Sequence, residues 1–306
     1  MANGNNPTTD EHFVPRMHLR RFSERKLKKS KPKDIIWAYN LATMKQLPDQ
    51  IPIEDICFEE HLYEFKDSEG NFIDRNRVEK ALSNYEKVFS VVIDQILRNA
   101  KNDKNLHTRC FLSSKEKVFL TAFMTLQILR YPSVLSIAEE LLNDMFPDRL
   151  KANEARNIAV WSCLDAFIDG KFDVEKESIF WRIVSWFDDM AFIIGRSNKP
   201  VFFTSDRPIF LFHSKCDTIN FIMERPEKII FPLSPTIALY MIPNCKKTRQ
   251  NRNILKDLSD KSIQEIQWSI AHCAKEWIYS RYPISSKQLQ IIKNAKKTDV
   301  QEGLHG

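Results

Sequence analysis

The chain of 306 residues, 43% apolar and 28% charged, has the composition of a globular protein with one or two domains. It contains only six glycines, about 2% against a usual value of about 7%. Neither G-x-G-x-x-G nor G-x-x-x-x-G-K-S/T is present, which argues against the familiar glycine-rich nucleotide-binding folds. The net charge of +6 is concentrated near the N-terminus: residues 16–33 contain nine basic residues against Glu24 and carry +8, which leaves −2 elsewhere.

The cysteines and the apolar stretches bear on where the protein works. Six cysteines are spread along the chain without a C-x-x-C pair, and the polar N-terminus contains no signal-peptide core. We therefore expect reduced, mostly structural thiols in a cytoplasmic protein. No apolar stretch approaches the ~20 residues that a membrane-spanning helix needs. We expect no membrane partner, and the sequence does not indicate which proteins it binds.

The N-terminal quarter has the pattern of a small β-containing lobe over residues 11–73. A polar tail over 1–10 is expected to be disordered. Val14 and Pro15 favour extended backbone, because proline fixes its own φ and moves the preceding residue out of the helical region. Residues 35–40 then predict a strand.

The middle of the chain, residues 74–190, changes to helical periodicity. From Asp74 onward, apolar residues recur at alternating steps of four and three, which places them on one buried helix face. A second helix begins at Ser113, whose spacing from Glu116 forms a capping box, and it ends before Pro132. Three further helices are predicted over 134–145, 153–168 and 175–190.

The remaining part, residues 191–283, returns to strands and ends in a helix. Residues 195–200 predict a hairpin loop between the first two strands. Ser259 caps a last helix predicted over 260–279, and a charged tail over 284–306 is expected to be frayed. The apolar runs that predict strands are 191–194, 201–203, 229–231 and 237–242.

These elements together predict the fold class α+β. The expected architecture is a predominantly helical array with a small mixed or antiparallel β-sheet built from N-terminal and C-terminal strands. We expect a single domain over residues 11–283, because no internal repeat or linker interrupts it.

Four residues are the candidates for catalysis. His12, beside the rigid Pro15 turn, suits proton transfer or metal ligation, with a structural bond to a backbone carbonyl as the alternative. Glu79 and Glu86, two helical turns apart beside the apolar stripe, have the spacing of carboxylates that share a metal or divide acid and base roles. Glutamates in that position are also often solvated or paired. Asp206 follows an apolar run, where a loop exposes an acid for chemistry, and an Asx turn is the alternative.

Arginine and hydroxyl side chains are the candidates for substrate binding. Arg16 and Arg20 share one face if the turn continues as a helix, which suits a bidentate grip on phosphate. Pairing of these arginines with Glu79 or Glu86 is the alternative. The candidate substrate-binding residues are Arg16, Arg20, Arg21, Thr204 and Ser205.

The basic residues after Arg21 form the candidate nucleic-acid-binding segment. A smaller basic cluster follows over 246–252. Two such patches point to a polyanion partner, nucleic acid first, whereas a solvated loop that keeps the protein soluble is the alternative. The candidate nucleic-acid-binding residues are Arg25, Lys26, Lys28, Lys29, Lys31 and Lys33.

Several short motifs occur in a fixed order: HFVPRMHLRRFS at 12–23, a strand with Trp37 and Tyr39, residues 60–63, VEKAL at 78–82 followed by Glu86, FTSDRP at 203–208 and FPLSP at 231–235. Together they resemble the bacterial family of unknown function catalogued as DUF4238, over residues 11–280. The chain departs from the family pattern at His18, where an aromatic residue is common, and at Arg207, where a small polar residue such as asparagine is common. The resemblance covers these candidate residues at once: His12, Arg16, Arg20, Glu79, Glu86 and Asp206.

These matched polar residues support two hypotheses. In the first, a histidine, arginines and acids from distant segments meet and coordinate a divalent metal such as Mg²⁺ or Mn²⁺ for phosphodiester hydrolysis, while the basic segment holds nucleic acid. In the second, the protein is a non-catalytic nucleic-acid- or protein-binding module whose polar cluster is a structural salt-bridge core. Candidate acids within a few ångströms of each other around an open cleft favour the first. Scattered or fully paired side chains favour the second.

Overall fold

The structure, a computed structural model of the chain, describes residues 9–28, 31–147, 149–170, 179–188, 190–212, 225–244 and 253–302. Within these residues the amphipathic segments form eight helices: α1 (Arg16–Leu19), α2 (Arg77–Asn102), α3 (Ser114–Leu129), α4 (Pro132–Met145), α5 (Glu154–Ile168), α6 (Ile179–Asp188), α7 (Asp260–Cys273) and α8 (Ser286–Glu302). Predictions that fall wholly or partly outside the described residues concern the tail 1–8, Lys29, helix residues 175–178 and 189, and the basic cluster 246–252.

The β-prone segments form short strands in the described part of the chain. The strands of the N-terminal third are β1 (Asp10–His12), β2 (Glu24–Lys28), β3 (Lys31–Asn40), β4 (Lys45–Gln46), β5 (Ile51–Pro52), β6 (Phe58–Glu60), β7 (Phe65–Lys66), β8 (Phe72–Ile73) and β9 (His107–Arg109). The later strands are β10 (Met190–Arg196), β11 (Thr204–Ser205), β12 (Phe210–Phe212), β13 (Lys228–Ser234), β14 (Ile237–Pro243), β15 (Asn253–Asp257) and β16 (Trp277–Ser280).

Two sheets organise most of these strands. The mixed sheet has the order β12-β13-β14-β10-β15-β9, in which only the β10–β15 pair is parallel. The antiparallel sheet has the order β11-β16-β3-β2, with β4 and β5 also paired to β3. In it, Ile278 of β16 lies opposite Tyr39 of β3, so N-terminal and C-terminal strands share one sheet. The predicted α+β class is confirmed.

The mixed sheet separates two hydrophobic cores. Neighbouring residues of β13 point to opposite faces, as strand geometry requires. Ile229 and Phe231 join the core under helices α2, α3, α5 and α6. Ile230 joins the second core, which α7, α8, the antiparallel sheet and the N-terminal segment enclose. Leu19 and Phe22 of the N-terminal segment are fully buried in this second core.

Helix α3 begins with the predicted capping box. The Ser113 hydroxyl accepts from the Glu116 amide at 3.2 Å, and the Glu116 carboxylate accepts from the Ser113 amide at 2.8 Å. The helix ends before Pro132, where α4 starts at an angle of 62°. No single helix in the described part of the chain is long and apolar enough to cross a membrane, although α3 and α4 together reach that length and composition.

The helix predicted over 260–279 is too long. Helix α7 ends at Cys273, and residues 277–280 form strand β16 instead. The backbone amides of the turn between them bind the Asp206 carboxylate, which leaves them unavailable to continue the helix. A tertiary contact therefore overrides a local apolar period.

The hairpin predicted between 191–194 and 201–203 is wrong. Strand β10 pairs with β14 and β15 instead. The amides of Val201 and Phe202 donate to the carbonyl of Pro235, so the chain turns there and forms a strand only at Thr204. Strand β15 was not predicted, because its five residues contain only two apolar side chains and no clear alternation.

The charged tail expected over 284–306 is helical through residue 302. Helix α8 packs along α7, and its Ile292 and Ala295 are fully buried. It starts at a capping arrangement in which the Ser285 hydroxyl accepts from the Gln288 amide at 3.3 Å while the Gln288 side chain accepts from the Ser285 amide at 2.9 Å.

Candidate functional site

The N-terminal motif passes through the protein interior. Strand β1 pairs with β6, which places His12 opposite Phe58. The Pro15 carbonyl then accepts from the amides of His18 at 2.9 Å and Leu19 at 3.2 Å, and this starts the single turn of α1. The expected extended conformation at Pro15 is present, with ψ of 134°. The motif is therefore held in place by both sheet pairing and core packing.

A buried arginine that the sequence analysis did not select lies at the centre of the polar residues. Arg130, at the end of α3, is 1% exposed. Its guanidinium donates to the Glu86 carboxylate at 2.7 Å, to the Tyr63 hydroxyl at 3.2 Å and to the backbone carbonyl of His12. Burial alone would lower the pKa of Arg130. Tyr63 and Glu86 raise it by more than burial lowers it, so the pKa lies above its ordinary value and the guanidinium stays charged. Arg130 thus links α3 to α2 and β1.

Two further carboxylates lie near this arginine. Glu11 is buried, and one of its oxygens accepts from the Tyr63 amide at 2.6 Å while the other has no hydrogen-bond partner among the described residues. Burial raises the pKa of Glu11 to about 8. Burial also raises the pKa of Glu79, although the charges of Arg130 and Arg16 act against that shift. We call these residues the Arg130 cluster: Arg130, Glu11, His12, Tyr63, Glu79 and Glu86.

His12 is a neutral member of the Arg130 cluster at physiological pH. Burial, together with the positive charges of Arg16 and Arg130, lowers the pKa of His12 to about 4. Its Nε2 atom is buried and has no hydrogen-bond partner within the described residues. The backbone carbonyl of His12, by contrast, accepts from both Arg130 and the Tyr63 hydroxyl. The ring is therefore suited to take part in a hydrogen bond as a neutral imidazole, not to carry a positive charge.

The three arginines of the motif have different surroundings. Arg16 is exposed and makes no ion pair with any residue that the structure describes. Arg20 pairs with Asp34 at 3.0 Å. Arg21 pairs with Asp94 at 2.7 Å and donates to two backbone carbonyls, which ties α1 to α2. The turn continues as a 3-10 helix over Arg20–Phe22, so the backbone stays helical through Arg20. Arg20 pairs with Asp34 and Glu86 pairs with Arg130, so the alternative pairing of Arg20 with Glu86 is not present.

Asp206 lies at a different place in the fold. Its carboxylate accepts from the amides of Lys275 at 2.9 Å, Glu276 at 2.6 Å and Trp277 at 3.1 Å. Burial raises the pKa of Asp206, and these three bonds act against the shift. No described contact joins it to the Arg130 cluster. The side chain therefore holds the turn between α7 and β16 through bonds to distant amides, which is not the local Asx turn named as the alternative.

Thr204 and Ser205 are buried beside Asp206 and bond within the protein. The Thr204 hydroxyl lies 2.9 Å from Nε2 of His18, whose ring stacks on Phe231 with centroids 5.1 Å apart. The Ser205 hydroxyl donates to the carbonyl of Arg207 at 2.7 Å. Neither hydroxyl presents a surface to substrate, so their placement does not match the expected binding role.

The structure therefore divides the predicted catalytic set. It brings His12, Glu79 and Glu86 together around Arg130 and separates Asp206 from them. Among the described residues, no group of three or more histidine, cysteine, aspartate or glutamate side chains is arranged to hold a metal ion.

The comparison with protein families agrees with the order of motifs along the chain. A family model described as "Protein of unknown function (DUF4238)" matches residues 11–283. The chain belongs to the DUF4238 family. Searches of curated proteins and of solved structures found no match.

In this DUF4238 member the basic segment is a β-hairpin. Strands β2 and β3 pair with Lys26 opposite Lys33 and Lys28 opposite Lys31. Arg25 is exposed, Lys26 lies 2.9 Å from Glu24, and Lys33 lies 2.6 Å from Glu54. The side chains of Lys28 and Lys31 lie outside the described part of the structure. The segment was predicted to bind nucleic acid, with a solvated loop as the alternative, and it forms a regular strand pair and not a loop over the paired residues.

Three members of the Arg130 cluster were not among the predicted site residues. Glu11 was overlooked because an acid next to a disordered tail has the appearance of a surface residue. Tyr63 was part of the motif at residues 60–63 without a role of its own, and Arg130 was not among the candidates. The sequence contains one signal for Arg130. This arginine lies between an apolar helix and the Tyr131-Pro132 turn with no acid close to it in sequence, so its charge needs a partner from a distant segment.

Proposed function

We propose that this DUF4238 protein binds nucleic acid through the β2–β3 hairpin. The observation that carries the proposal is the strand register, which sets Lys26 opposite Lys33 and Lys28 opposite Lys31. Cross-strand partners share a face, and alternate positions return to it, so four lysine positions fall on one face of the hairpin. Like charges directly opposite each other repel. A bound polyanion relieves that repulsion.

The surroundings of the hairpin extend its basic character. Arg25 of β2 and Arg16 of α1 are both exposed, and Arg16 has no ion-pair partner in the described part of the chain. The charge of Arg16 acts on Glu54, the residue that pairs with Lys33, so Arg16 is close to the base of the hairpin. A two-stranded β-ribbon fits the major groove of a duplex, and lysines and arginines on it contact phosphates.

In the same proposal, the Arg130 cluster has a structural role. Three bonds of the buried guanidinium join α3 to Glu86 of α2, to Tyr63 and to the backbone of His12. These bonds hold the N-terminal segment, and with it the hairpin, against the helices. The Asp206 carboxylate is likewise engaged by three amides. Engagement of Glu86 and Asp206 within the protein favours the binding module over the phosphodiesterase.

The test is the salt dependence of nucleic-acid binding. Fluorescence anisotropy of a labelled mixed-sequence DNA duplex and of its RNA counterpart is measured over a series of KCl concentrations. We expect binding that weakens steeply with salt. Replacing the four paired lysines with glutamine should reduce the slope of log Kd against log salt by up to about three to four, because each DNA phosphate contact contributes about 0.9. The replaced residues are Lys26, Lys28, Lys31 and Lys33.

A variant with the same net charge controls for general electrostatics. Four exposed lysines of helices α2, α7 and α8 are replaced with glutamine instead: Lys87, Lys101, Lys261 and Lys293. We expect this variant to keep nearly the wild-type slope. The proposal is overturned if both quadruple variants have equal slopes, or if the wild type shows no salt-dependent binding.

A metal-dependent nucleic-acid phosphodiesterase is the second candidate. It is favoured by the buried and unpartnered Nε2 of His12 and Oε2 of Glu79, both under the influence of the exposed Arg16. A nuclease assay on DNA and RNA with Mg²⁺ or Mn²⁺ tests it. We expect cleavage that His12→Ala and Glu79→Gln abolish without loss of nucleic-acid binding. Absence of cleavage by the wild type, or equal cleavage by the variants, excludes this candidate.

A further inference from the structure

A cleft of about 470 Å³ opens beside Asp206, and one of its walls, Phe58, contacts the ring of His12 in the Arg130 cluster. This volume is in the range of about 300–1,000 Å³ that is typical of small-molecule sites. Aromatic side chains line much of it, among them Phe13, Phe58, Tyr131 and Trp277. Aromatic walls of this kind accept a planar ring by stacking. The cleft therefore has the size and the surface for a ligand with one flat apolar part.

Arg207 supplies a cation at this cleft. The side chain is half-buried and lines the cleft, and its guanidinium makes no hydrogen bond or ion pair within the part of the chain that the structure describes. Its backbone is fixed, because its carbonyl accepts from the Ser205 hydroxyl at 2.7 Å and from the Cys273 thiol at 3.0 Å. The neighbouring Asp206 uses its carboxylate on three backbone amides. A half-buried guanidinium without a partner favours an anionic ligand.

Other charged groups at the cleft are consistent with a ligand that has two chemically different ends. Pro132 and Ser133 line the cleft at the start of α4, where the helix dipole favours an anion. The carboxylates of Asp55, Glu59 and Glu276 are exposed at its rim. Carboxylates accept hydrogen bonds from amino groups on a nucleobase and repel a second phosphate. Lys275 also lines the cleft, and its ammonium lies 4.0 Å from the Glu276 carboxylate. The rim carboxylates thus disfavour a second phosphate and leave the Arg207 side for the first.

We infer that this cleft binds a single nucleotide, with the phosphate on Arg207 and the base against Phe58 and Trp277. The inference deepens the proposed nucleic-acid function and rests on it for the source of the ligand. The same chemistry, one phosphate and one base, is present in a free mononucleotide and in the phosphorylated end of a strand.

Calorimetric titration of the full chain with 5′-AMP and with adenosine tests the inference. We expect saturable binding of 5′-AMP, with adenosine at least about tenfold weaker, because a charge-assisted bond of that kind corresponds to such a factor. Arg207→Gln should weaken 5′-AMP by about the same factor and leave adenosine nearly unchanged. Phe58→Leu should weaken both ligands by similar factors, since both carry the base. Arg98→Gln, on the exposed face of α2, is the matched control and should bind as the wild type does.

Short single-stranded oligonucleotides with and without a 5′-phosphate identify the source. A preference for the phosphorylated strand that Arg207→Gln removes assigns the cleft to strand ends. Binding of 5′-AMP without such a preference assigns it to free mononucleotides. Absence of saturable binding to both 5′-AMP and the phosphorylated strand, or wild-type affinity in Arg207→Gln, overturns the inference. Arg207→Gln should keep the wild-type salt slope for the duplex, and the hairpin variant should keep 5′-AMP binding, so the two proposals can fail separately.

Discussion

The Arg130 cluster and the β2–β3 hairpin contain ion pairs of nearly equal length in opposite environments. Arg130 lies 2.7 Å from Glu86 and is 1% exposed. Lys33 lies 2.6 Å from Glu54 with more than a third of its side chain in solvent. Water and salt screen the exposed pair, whereas loss of one partner of a buried pair leaves a desolvated charge. Burial, not distance, therefore separates the contacts that maintain the fold from the charges that are free to meet a ligand.

The strongest test of this comparison is Arg130→Met. Methionine preserves much of the volume and removes the charge, so Glu86, the Tyr63 hydroxyl and the His12 carbonyl lose a shared donor. We expect a loss of about 3 kcal/mol in the free energy of unfolding, at the low end for a broken buried pair because Glu86 is partly in contact with water. Denaturant unfolding followed by circular dichroism measures it.

Two variants make the Arg130 result specific. Arg98→Met on the exposed surface of α2 should change stability by less than about 0.5 kcal/mol. Adding Glu86→Gln to Arg130→Met should recover part of the loss, because the unpaired carboxylate is then neutral. A stability change in Arg130→Met no larger than that of Arg98→Met means that the cluster is not the structural connection described above.

Asp206→Ala tests whether this residue also belongs to the buried, structural class. Alanine leaves three amides at the start of β16 without their acceptor, and we expect a loss of about 2 kcal/mol in unfolding free energy. Asp144→Ala, at an exposed position of α4, is the matched control. If both variants unfold alike, Asp206 does not hold the turn and becomes available again as a functional acid.

Glu11 makes the buried region sensitive to pH. Burial raises the pKa of Glu11 from 4.5 to about 8, so the folded protein keeps a proton that the unfolded chain releases above pH 4.5. The stability that this group contributes is complete below pH 4.5 and is lost as the pH rises through 8. His12 acts in the opposite direction: its pKa falls from 6.5 to about 4, so its contribution is lost as the pH falls below 6.5.

The contribution of Glu11 to stability can be measured between pH 6.5 and 8. Between pH 6.5 and 8, folded His12 is neutral, and the unfolded chain loses the remaining part of its His12 proton; Glu11→Gln contains the same histidine, so this contribution cancels in the comparison. Over this window the wild type should lose about 1.5 kcal/mol more stability than Glu11→Gln, which carries no titratable proton. Unfolding curves at several pH values measure the difference. Parallel pH profiles for the two proteins show that Glu11 titrates normally and that the cluster is open to water.

The sequence predicted the helices well, because their periodicity and caps are local signals. Ser113 and Glu116 mark the start of α3 three residues apart. The capping arrangement of Ser285 and Gln288 is equally local, and attention to it would have replaced the frayed tail with α8. Strand β16 was out of reach, because the residues that stop α7 and pair with 277–280 lie far away in sequence at Asp206 and in β3.

Half of the Arg130 cluster was predictable from the sequence, and its grouping was not. His12, Glu79 and Glu86 do gather, but they gather around Arg130, which no spacing connects to them. Asp206 has the same local sequence pattern whether its carboxylate faces a ligand or binds backbone amides. Local pattern identifies polar residues in constrained positions, and only the fold determines which of them face each other.

Arg20 and Arg21 give the smallest and most closely matched test of the comparison. They are adjacent, and each pairs with an aspartate, yet their side chains are 59% and 8% exposed. Arg21→Gln should cost about 1 to 2 kcal/mol of unfolding free energy, because two carbonyls and Asp94 lose a charged donor. Arg20→Gln should change it by less than about 0.5 kcal/mol, as is usual for an exposed pair. The effects on nucleic-acid affinity should have the opposite order. Arg20→Gln should weaken binding more than Arg21→Gln, because Arg20 is in solvent near the hairpin and Arg21 is not. Equal effects of the two variants in both measurements contradict the division of the N-terminal segment into a buried anchoring part and an exposed binding part.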